Sequence, residues 1–478
     1  MVAFFAGSCS NKKFNNHGSP WRTETLSLEN QYIFPENKEE NKLKEYEAVT
    51  HPQIVKAFGG EYKNTKLECM IAKIVGDLTA VNPASAPNYR IILLNSENVN
   101  AFALPNGYVY ITRGLIAIAN DCSEIAGVIA HEMAHIIAHH GLLRLEKQQA
   151  FKKSLLLDKY DFKNVSQQQI DLHNSLSLAQ FSRQQELEAD AIAIQLLSEA
   201  NYDPFAIARF LQTMQNYAQF RNIFPNKNGQ LDFLATHPAT KQRILQAIEN
   251  AKKVENNANF TQDRSRLLKG IDGLLFSAVK NQGFIRDQCF ISPHLHIKFC
   301  LPEGFYLRMT QSAIIANNNN DNALRFDIIE KKPPIAPIAY IKSGWVKGLD
   351  PQTITNLPEL KYKNAFAKAQ NDKWKFSIII LAYKTHLYRF LAAAKNEKEA
   401  QNLALFASRA FQIISEKQSK NYKPLYIRII TIKDNDTIEQ ISEKMQGTSQ
   451  KEQLFRILND LNQNRQLIKG EKVKIIQE

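Results

Sequence analysis

Cysteine is scarce in this chain, 5 among 478 residues, which excludes a disulfide-dense scaffold. Glycine (18) and proline (17) are too few for a collagen-like or low-complexity chain. No run reaches the roughly 18 consecutive apolar residues that span a bilayer; the longest candidates, such as Phe376 to Tyr383, are of strand length. A multi-span membrane protein is therefore excluded. No repeat of about 30 to 50 residues recurs, which disfavours a helical-repeat architecture. The chain also lacks a dense Lys/Arg run interleaved with aromatics, so nucleic acid is not an expected partner. The balance of 60 basic against 47 acidic residues still leaves +13. That surplus fits dispersed lysines on solvated faces, or an anionic surface such as cell wall or lipid.

What is present suits several folded units. Apolar residues make up 44% of the chain and charged residues 22%, ordinary for globular domains. At roughly 100 to 200 residues per domain, the length predicts about three. Residues 1–41 read as a leader or polar tether. In the block 42–256, Ile54, Val55 and Phe58, then Leu67, Met70, Ile71, Ile74, Val75 and Leu78, recur at helical spacing on either side of Gly59-Gly60. The β-prone runs Tyr89 to Leu94, Ala101 to Leu104 and Tyr108 to Thr112 predict a small antiparallel sheet, with Pro105-Asn106-Gly107 as a turn. Asp121 with Glu124 has the spacing of a capping box opening a long helix to about Lys147. Further helices are expected over 176–200, stopped by Asn201-Tyr202-Asp203-Pro204, and over 205–220. The block 260–418 shows alternating apolar runs and then a helix near Glu397 to Ser415, an α+β pattern without clustered catalytic residue types. Within it, Cys289 and Cys300 either oppose each other across a hairpin near Pro293 and His294 or stay free. Residues 424–478 read strand, helix, helix, strand. The expected fold class is α+β and multidomain.

His131-Glu132-Met133-Ala134-His135 lies inside the capped helix. Spacing of i,i+4 brings the two imidazoles about 40° apart around the axis, where one metal ion can bridge them. Glu132 is rotated about 100° from His131, within reach of a water on that metal without being a ligand. Unpartnered histidines on so apolar a helix would be costly. Zinc needs a third protein ligand and an open position for water; Glu186, with Asp190 four residues on, sits on the next strong helix. His139 and His140 read as helix-surface residues without a role.

HEMAH, followed by Ser182 to Asp190 (SRQQELEAD) and preceded by Asn100 to Leu115 (NAFALPNGYVYITRGL), resembles the zinc metallopeptidases of the CAAX prenyl protease and HtpX family, peptidase family M-48, in its soluble envelope branch. The resemblance implies a mainly helical gluzincin-type core. It implies one Zn2+ held by His131, His135 and Glu186, with Glu132 as the base. Asp190 is implied either as a group orienting a ligand imidazole or as a proton donor. Ala235 to Ile244 (ATHPATKQRI) is similar to the family's THPxxxxRI segment. There His237 either stabilises the oxyanion or takes the open zinc position in a latent state, and Arg243 binds the substrate carbonyl or the developing charge. Asn106 stands where the family usually has Gly; Asn tolerates positive φ, so the turn is expected to survive.

Met1 to Cys9 (MVAFFAGSC) is similar to the end of a bacterial lipoprotein signal, with Ala6 where a larger aliphatic is usual. That likeness implies membrane anchoring through lipid on Cys9. Ile432 to Thr437, Leu458-Asn459 and Leu467 to Ile475 resemble the LysM domains that bind peptidoglycan, with Asn435 replacing the usual Gly. Together these resemblances imply a zinc-dependent metalloendopeptidase of the cell envelope or periplasm acting on polypeptides, by family analogy misfolded outer-membrane proteins. Two other readings stand beside it: a peptidoglycan-associated hydrolase, and a latent peptidase serving as an envelope adaptor or chaperone.

Overall fold

A helix over 49–57 ends at Gly59 and Gly60, whose φ values are +81° and +93°. A Cβ on Gly59 would lie 2.9 Å from the Asn95 carbonyl oxygen, so the close approach and the backbone angle both require glycine. The computed structural model describes residues 49–82, 89–141, 143, 182–221, 233, 237–254, 260, 262–277, 283–309, 313–318, 320–346, 348–462 and 464–478. Cys9 and the leader 1–41, the segment 148–175 and the expected start of a helix at 176 lie outside these residues.

Helix α1 (Thr65–Ala80) is capped by Asn64 and buries Leu67, Met70, Ile71, Ile74 and Leu78. Strands β1 (Arg90–Leu94), β2 (Ala101–Ala103) and β3 (Tyr108–Thr112) form a sheet in the order β1-β3-β2. The sheet is mixed rather than antiparallel as expected: β1 pairs with β3 in parallel, and only β2 with β3 is antiparallel. Residues 95–100 reverse the chain but skip one strand position, which β3 then fills. Strand propensity marks the three runs and says nothing of that skip. The positive φ of the β2–β3 turn falls on Gly107 (+96°) and not on Asn106.

Helix α2 (Arg113–Ile118) follows β3 directly, and α3 (Cys122–Ile137) carries the HExxH sequence. Asp121 accepts from the Glu124 amide, as capping requires, while the Glu124 carboxylate accepts from Asn120 N, one residue before the cap. α3 is buried along almost its whole length because β2, α1, α4 (Arg183–Glu199) and α5 (Ala206–Phe220) surround it. It ends at Ile137, ten residues short of the expected Lys147, where His139 takes a left-handed φ of +53°. α4 opens on a capping box between Ser182 and Gln185. α6 (Lys241–Val254) packs on α4 and α5, and α7 (Arg264–Ile271) packs against α1.

The middle of the chain is built on strands β4 (Phe284–Arg286), β5 (Cys289–Ser292), β6 (Ile297–Cys300), β7 (Tyr306–Met309), β8 (Ile314–Asn317) and β9 (Ala323–Glu330), then helix α8 (Pro337–Ile341). It continues with β10 (Leu349–Thr355), β11 (Lys363–Gln370), β12 (Lys375–Tyr383), β13 (His386–Ala394), α9 (Glu397–Ala410) and β14 (Gln412–Ile413). A seven-stranded antiparallel sheet runs β10-β11-β12-β13-β9-β8-β7, and a smaller one runs β14-β6-β5-β4. α9 packs on β12, β13 and β6, while α8 covers the other face around Tyr340 and Ile341. Cys289 and Cys300 are register partners on β5 and β6 and form a disulfide; Cys69 and Cys122 are free.

The carboxy-terminal segment forms β15 (Tyr426–Thr431), α11 (Ile438–Glu443) and α12 (Lys451–Asn459), after the short helix α10 (Glu416–Lys420), and closes with β16 (Lys472–Gln477) antiparallel to β15. This segment is not a free appendage. Ile427, Phe455, Leu458, Val473 and Ile475 belong to the same apolar core as Leu67, Leu115, Ile125 and Leu267. Backbone bonds from Gly273 N to Ile427 O and from Ile427 N to Leu274 O, each 2.8 Å, tie β15 to the end of α7. Among the described residues, no helix is long and apolar enough to cross a membrane.

Candidate metal centre

Three separate elements deliver donor atoms to one buried point. α3 supplies His131 and His135, α4 supplies Glu186 from its first turn, and the segment entering α6 supplies His237. Each is 3% exposed or less. His131 Nε2 lies 3.0 Å from His135 Nε2 and 3.2 Å from His237 Nδ1. Glu186 Oε1 lies 2.9 Å from His237 Nδ1 and 3.5 Å from His135 Nε2, and Glu186 Oε2 lies 3.5 Å from His131 Nε2. A tetrahedral zinc with bonds of about 2.0 to 2.1 Å separates its ligand atoms by about 3.3 Å. With Glu186 Oε1 as its donor atom, four separations of 2.9 to 3.5 Å lie near the edges of such a tetrahedron, and all four donor atoms lie within 4.8 Å of one another. Three imidazoles and one carboxylate are also the donor chemistry zinc takes. The residues fit the ion.

Around the donors stands a set of charged groups that orient them. Asp190, one turn after Glu186 on α4, lies 2.9 Å from His131 Nδ1 through Oδ1. Arg243 from α6 grips both Asp190 oxygens through Nε and Nη2, and its Nη1 lies 2.7 Å from Glu186 Oε2. A bidentate fork of this kind is the strongest hold an arginine has on a carboxylate. Burial opposes ionisation of Asp190, but Arg243 and His131 outweigh it and hold its carboxyl below the usual range. Burial likewise opposes Glu186, and His237 with Arg243 overcomes it by a wide margin. Burial pulls His135 well below its ordinary value, toward the neutral form that ligates metals.

Glu132 lies beside the donors and outside their set. Burial pushes its carboxyl up, and Oε1 sits 3.5 Å from His237 Nε2 without a hydrogen-bond partner among the described residues. A buried carboxylate oxygen left over in this way is available to a proton donor such as water or substrate.

Two neighbours escape sequence reasoning. Phe233 stacks on His237 at 4.5 Å between ring centroids; its amide donates to Val99 O, and its carbonyl accepts from His237 N. His140, expected on the helix surface, is buried at 2% exposure, with Nδ1 2.9 Å from His135 Nδ1. Five residues along an unbroken helix would put it about 140° away from His135. The left-handed turn at His139 folds it back, and no periodicity in the sequence signals that.

Comparison with known proteins places this geometry in context. Residues 61–252 match the model of peptidase family M48. The mitochondrial metalloendopeptidase OMA1 of Saccharomyces cerevisiae is 34% identical over 167 residues, 35% of this chain and 46% of that protein. The OMA1 of Schizosaccharomyces pombe is 29% identical over 175 residues, covering 36% of this chain and 50% of that one. The beta-barrel assembly-enhancing protease of Yersinia pestis is 28% identical over 297 residues, covering 59% and 57%. The chain thus spans about half the length of these relatives. Together the likenesses run to peptidase family M48 and to proteins named as metalloendopeptidases and proteases.

Proposed function

We propose that the protein is a zinc-dependent metalloendopeptidase that cleaves polypeptides, and that the arrangement described above is its latent state. One observation carries the reading: His131, His135, Glu186 and His237 bring their donor atoms within 4.8 Å of one another, with the Glu132 carboxylate alongside. When bound there, zinc supplies Lewis acidity, polarising a peptide carbonyl and acidifying a water. Glu132 takes the proton of the attacking water through its unpartnered Oε1 and passes it to the leaving amide nitrogen. Asp190 keeps the Nδ1 proton of His131 in place, so that its Nε2 lone pair faces the metal. Arg243 is read as a positioning residue, because its guanidinium is already engaged by Asp190 and Glu186.

Among the described residues β2 is an edge strand, and its outer edge suits an extended substrate. Leu104 N bonds to Tyr108 O and Thr112 N to Asn100 O. The alternation of an antiparallel pair then turns the backbone groups of Ala101 and Ala103 away from β3. A peptide added there gains main-chain hydrogen bonds with loose sequence preference.

His237 completes a four-donor set, and a closed set is the mark of a resting site, since a catalytic zinc keeps one position open. Replacing His237 by Ala is therefore expected to raise cleavage of an unfolded polypeptide such as casein severalfold with one zinc still bound. Lost cleavage in that variant would instead make His237 a participant in the reaction. A closed site also favours the second reading, an adaptor whose peptidase is held shut. Absence of cleavage by both wild type and His237→Ala, with zinc bound, would support it.

The name of the Yersinia relative supports envelope proteins as substrates and the cell envelope as the location. The Cys289–Cys300 disulfide fits an oxidising compartment of that kind. Anchoring through lipid on Cys9 rests on the leader, and Cys9→Ala should abolish acyl labelling. The βααβ arrangement of 424–478 supports LysM-like peptidoglycan contact. Co-sedimentation of the full chain with cell-wall sacculi at moderate salt tests it, and no retention would leave the segment with its packing role alone.

A further inference from the structure

The proposed zinc ligands His131 and His135 each turn a second ring nitrogen away from the donor cluster, and what meets that nitrogen differs. His131 Nδ1 meets a carboxylate directly, Asp190 at 2.9 Å. His135 Nδ1 meets another imidazole, His140 Nδ1 at 2.9 Å, and His140 Nε2 in turn lies 3.3 Å from Glu188 Oε2. Three residues thus form a line running from the donor cluster to the protein surface. Its inner end is buried, and its outer carboxylate is 54% exposed.

We propose that His140, backed by Glu188, is a positioning residue that fixes the tautomer and ring orientation of His135 for metal binding. The inference rests on the zinc-centre reading. One arrangement of protons along the line suits metal binding. For His135 Nε2 to offer its lone pair to a metal, its proton sits on Nδ1. That N–H needs an acceptor, so His140 Nδ1 is unprotonated and His140 carries its proton on Nε2. The Nε2–H then donates to the Glu188 carboxylate. A doubly protonated His140 would set two N–H groups against each other at 2.9 Å. The line therefore performs for His135, through one extra ring, what Asp190 performs for His131. Groups in this position usually hold ligand rings in place and raise their basicity.

The backbone around His140 is arranged for this contact. α3 stops at Ile137, His139 adopts φ +53°, and the chain turns so that the His140 ring packs at 5.1 Å from that of His135. Gly141 follows at a point where a Cβ would approach the Pro105 ring to 3.1 Å, so the β2–β3 turn backs the same bend. A residue in left-handed φ is uncommon outside glycine and is retained where surrounding structure holds it.

The test measures zinc affinity by competition with a chromophoric chelator, on full chains first stripped of metal. Wild type is expected to bind one zinc. His140→Leu is expected to bind about 10- to 100-fold more weakly, the usual cost of losing such a partner. His140→Asn places an amide oxygen near the former Nδ1 and is expected to recover most of the affinity. Glu188→Ala changes an exposed residue that should not disturb folding, and is expected to weaken binding about tenfold, the low end of that range. Equal melting temperatures of the metal-free forms separate positioning from simple destabilisation. Long-range 1H–15N correlations on the zinc-loaded protein should find His135 protonated at Nδ1 and His140 at Nε2. Wild-type affinity in both His140→Leu and Glu188→Ala, or a doubly protonated His140, overturns the inference while leaving the zinc centre intact. A wild type that binds no zinc overturns the centre itself, and the inference with it.

Discussion

Glu132→Gln is expected to lower peptide cleavage about 10²- to 10⁴-fold, the contribution of a positioned general base, with zinc still bound at one per chain. The two effects separate because Glu132 stands outside the donor set formed by His131, His135, Glu186 and His237. Gln has nearly the same shape, so the packing around this 1%-exposed side chain survives. It has no carboxylate to take a proton. Because burial pushes the Glu132 carboxyl up, the neutral amide should also cost no stability. The contrast is Glu186→Ala, which removes a donor and takes from Arg243 one of its two carboxylate partners. That variant is expected to lose zinc and to melt earlier, since stripping one partner from a buried charge pair costs about 3 to 5 kcal/mol. Zinc content by elemental analysis and casein cleavage read both outcomes. Full activity in Glu132→Gln would sink the peptidase reading.

The second large effect is expected far from the donors. A chain cut after residue 423 should fail to give a stable peptidase core, because the segment 424–478 completes that core instead of hanging beside it. α12 packs against α5 and α2, and β15 with β16 packs against α7. Burying one Leu, Ile or Phe side chain is worth about 1.5 to 3 kcal/mol. Stripping the core of Phe455, Leu458, Ile427 and Ile475 alone would therefore remove about 6 to 12 kcal/mol. That is comparable to the whole stability of a typical domain, about 5 to 15 kcal/mol.

A single residue reports the same junction more gently. Lys474 on β16 is fully buried, and its Nζ donates to the carbonyls of Ala117 at 3.2 Å, Ile118 at 3.5 Å and Ala119 at 2.7 Å, at the end of α2. Arg264 bridges the adjoining Asn120 carbonyl and Asn459 of α12. Lys474→Met leaves these helix-end carbonyls without that donor, at about 1 to 3 kcal/mol for each group left unsatisfied. It also removes the cost of burying a polar nitrogen, so the net loss should be about 2 kcal/mol and a few degrees in melting temperature. A soluble 1–423 chain melting with the full-length protein would refute this account of the junction.

Much of the centre is legible from local spacing. The i,i+4 pair His131 and His135, the Asp121 cap, and Glu186 with Asp190 on one helix face all follow from contacts within a turn or two of chain. Such contacts are encoded by neighbours in sequence. The β-prone runs of the middle segment and the strand–helix–helix–strand order at the end are legible for the same reason, since periodicity follows burial of one face.

The rest depends on which elements pack together, and spacing carries no record of that. His237 joins His131 across 106 residues only because α6 lies against α4. Arg243 meets Asp190 and Glu186 through the same packing. His140 reaches His135 because one left-handed residue breaks a helix that the apolar pattern would continue. The mixed sheet arises from a skipped strand position, and the carboxy-terminal segment joins the first core through Lys474 and Phe455. By itself, then, the sequence determined the donor types, their helices and the chemistry they suit. The tertiary structure alone decided that four donors close on one point, which partner holds each of them, and that the last 55 residues share their core, because long-range packing sets which side chains meet.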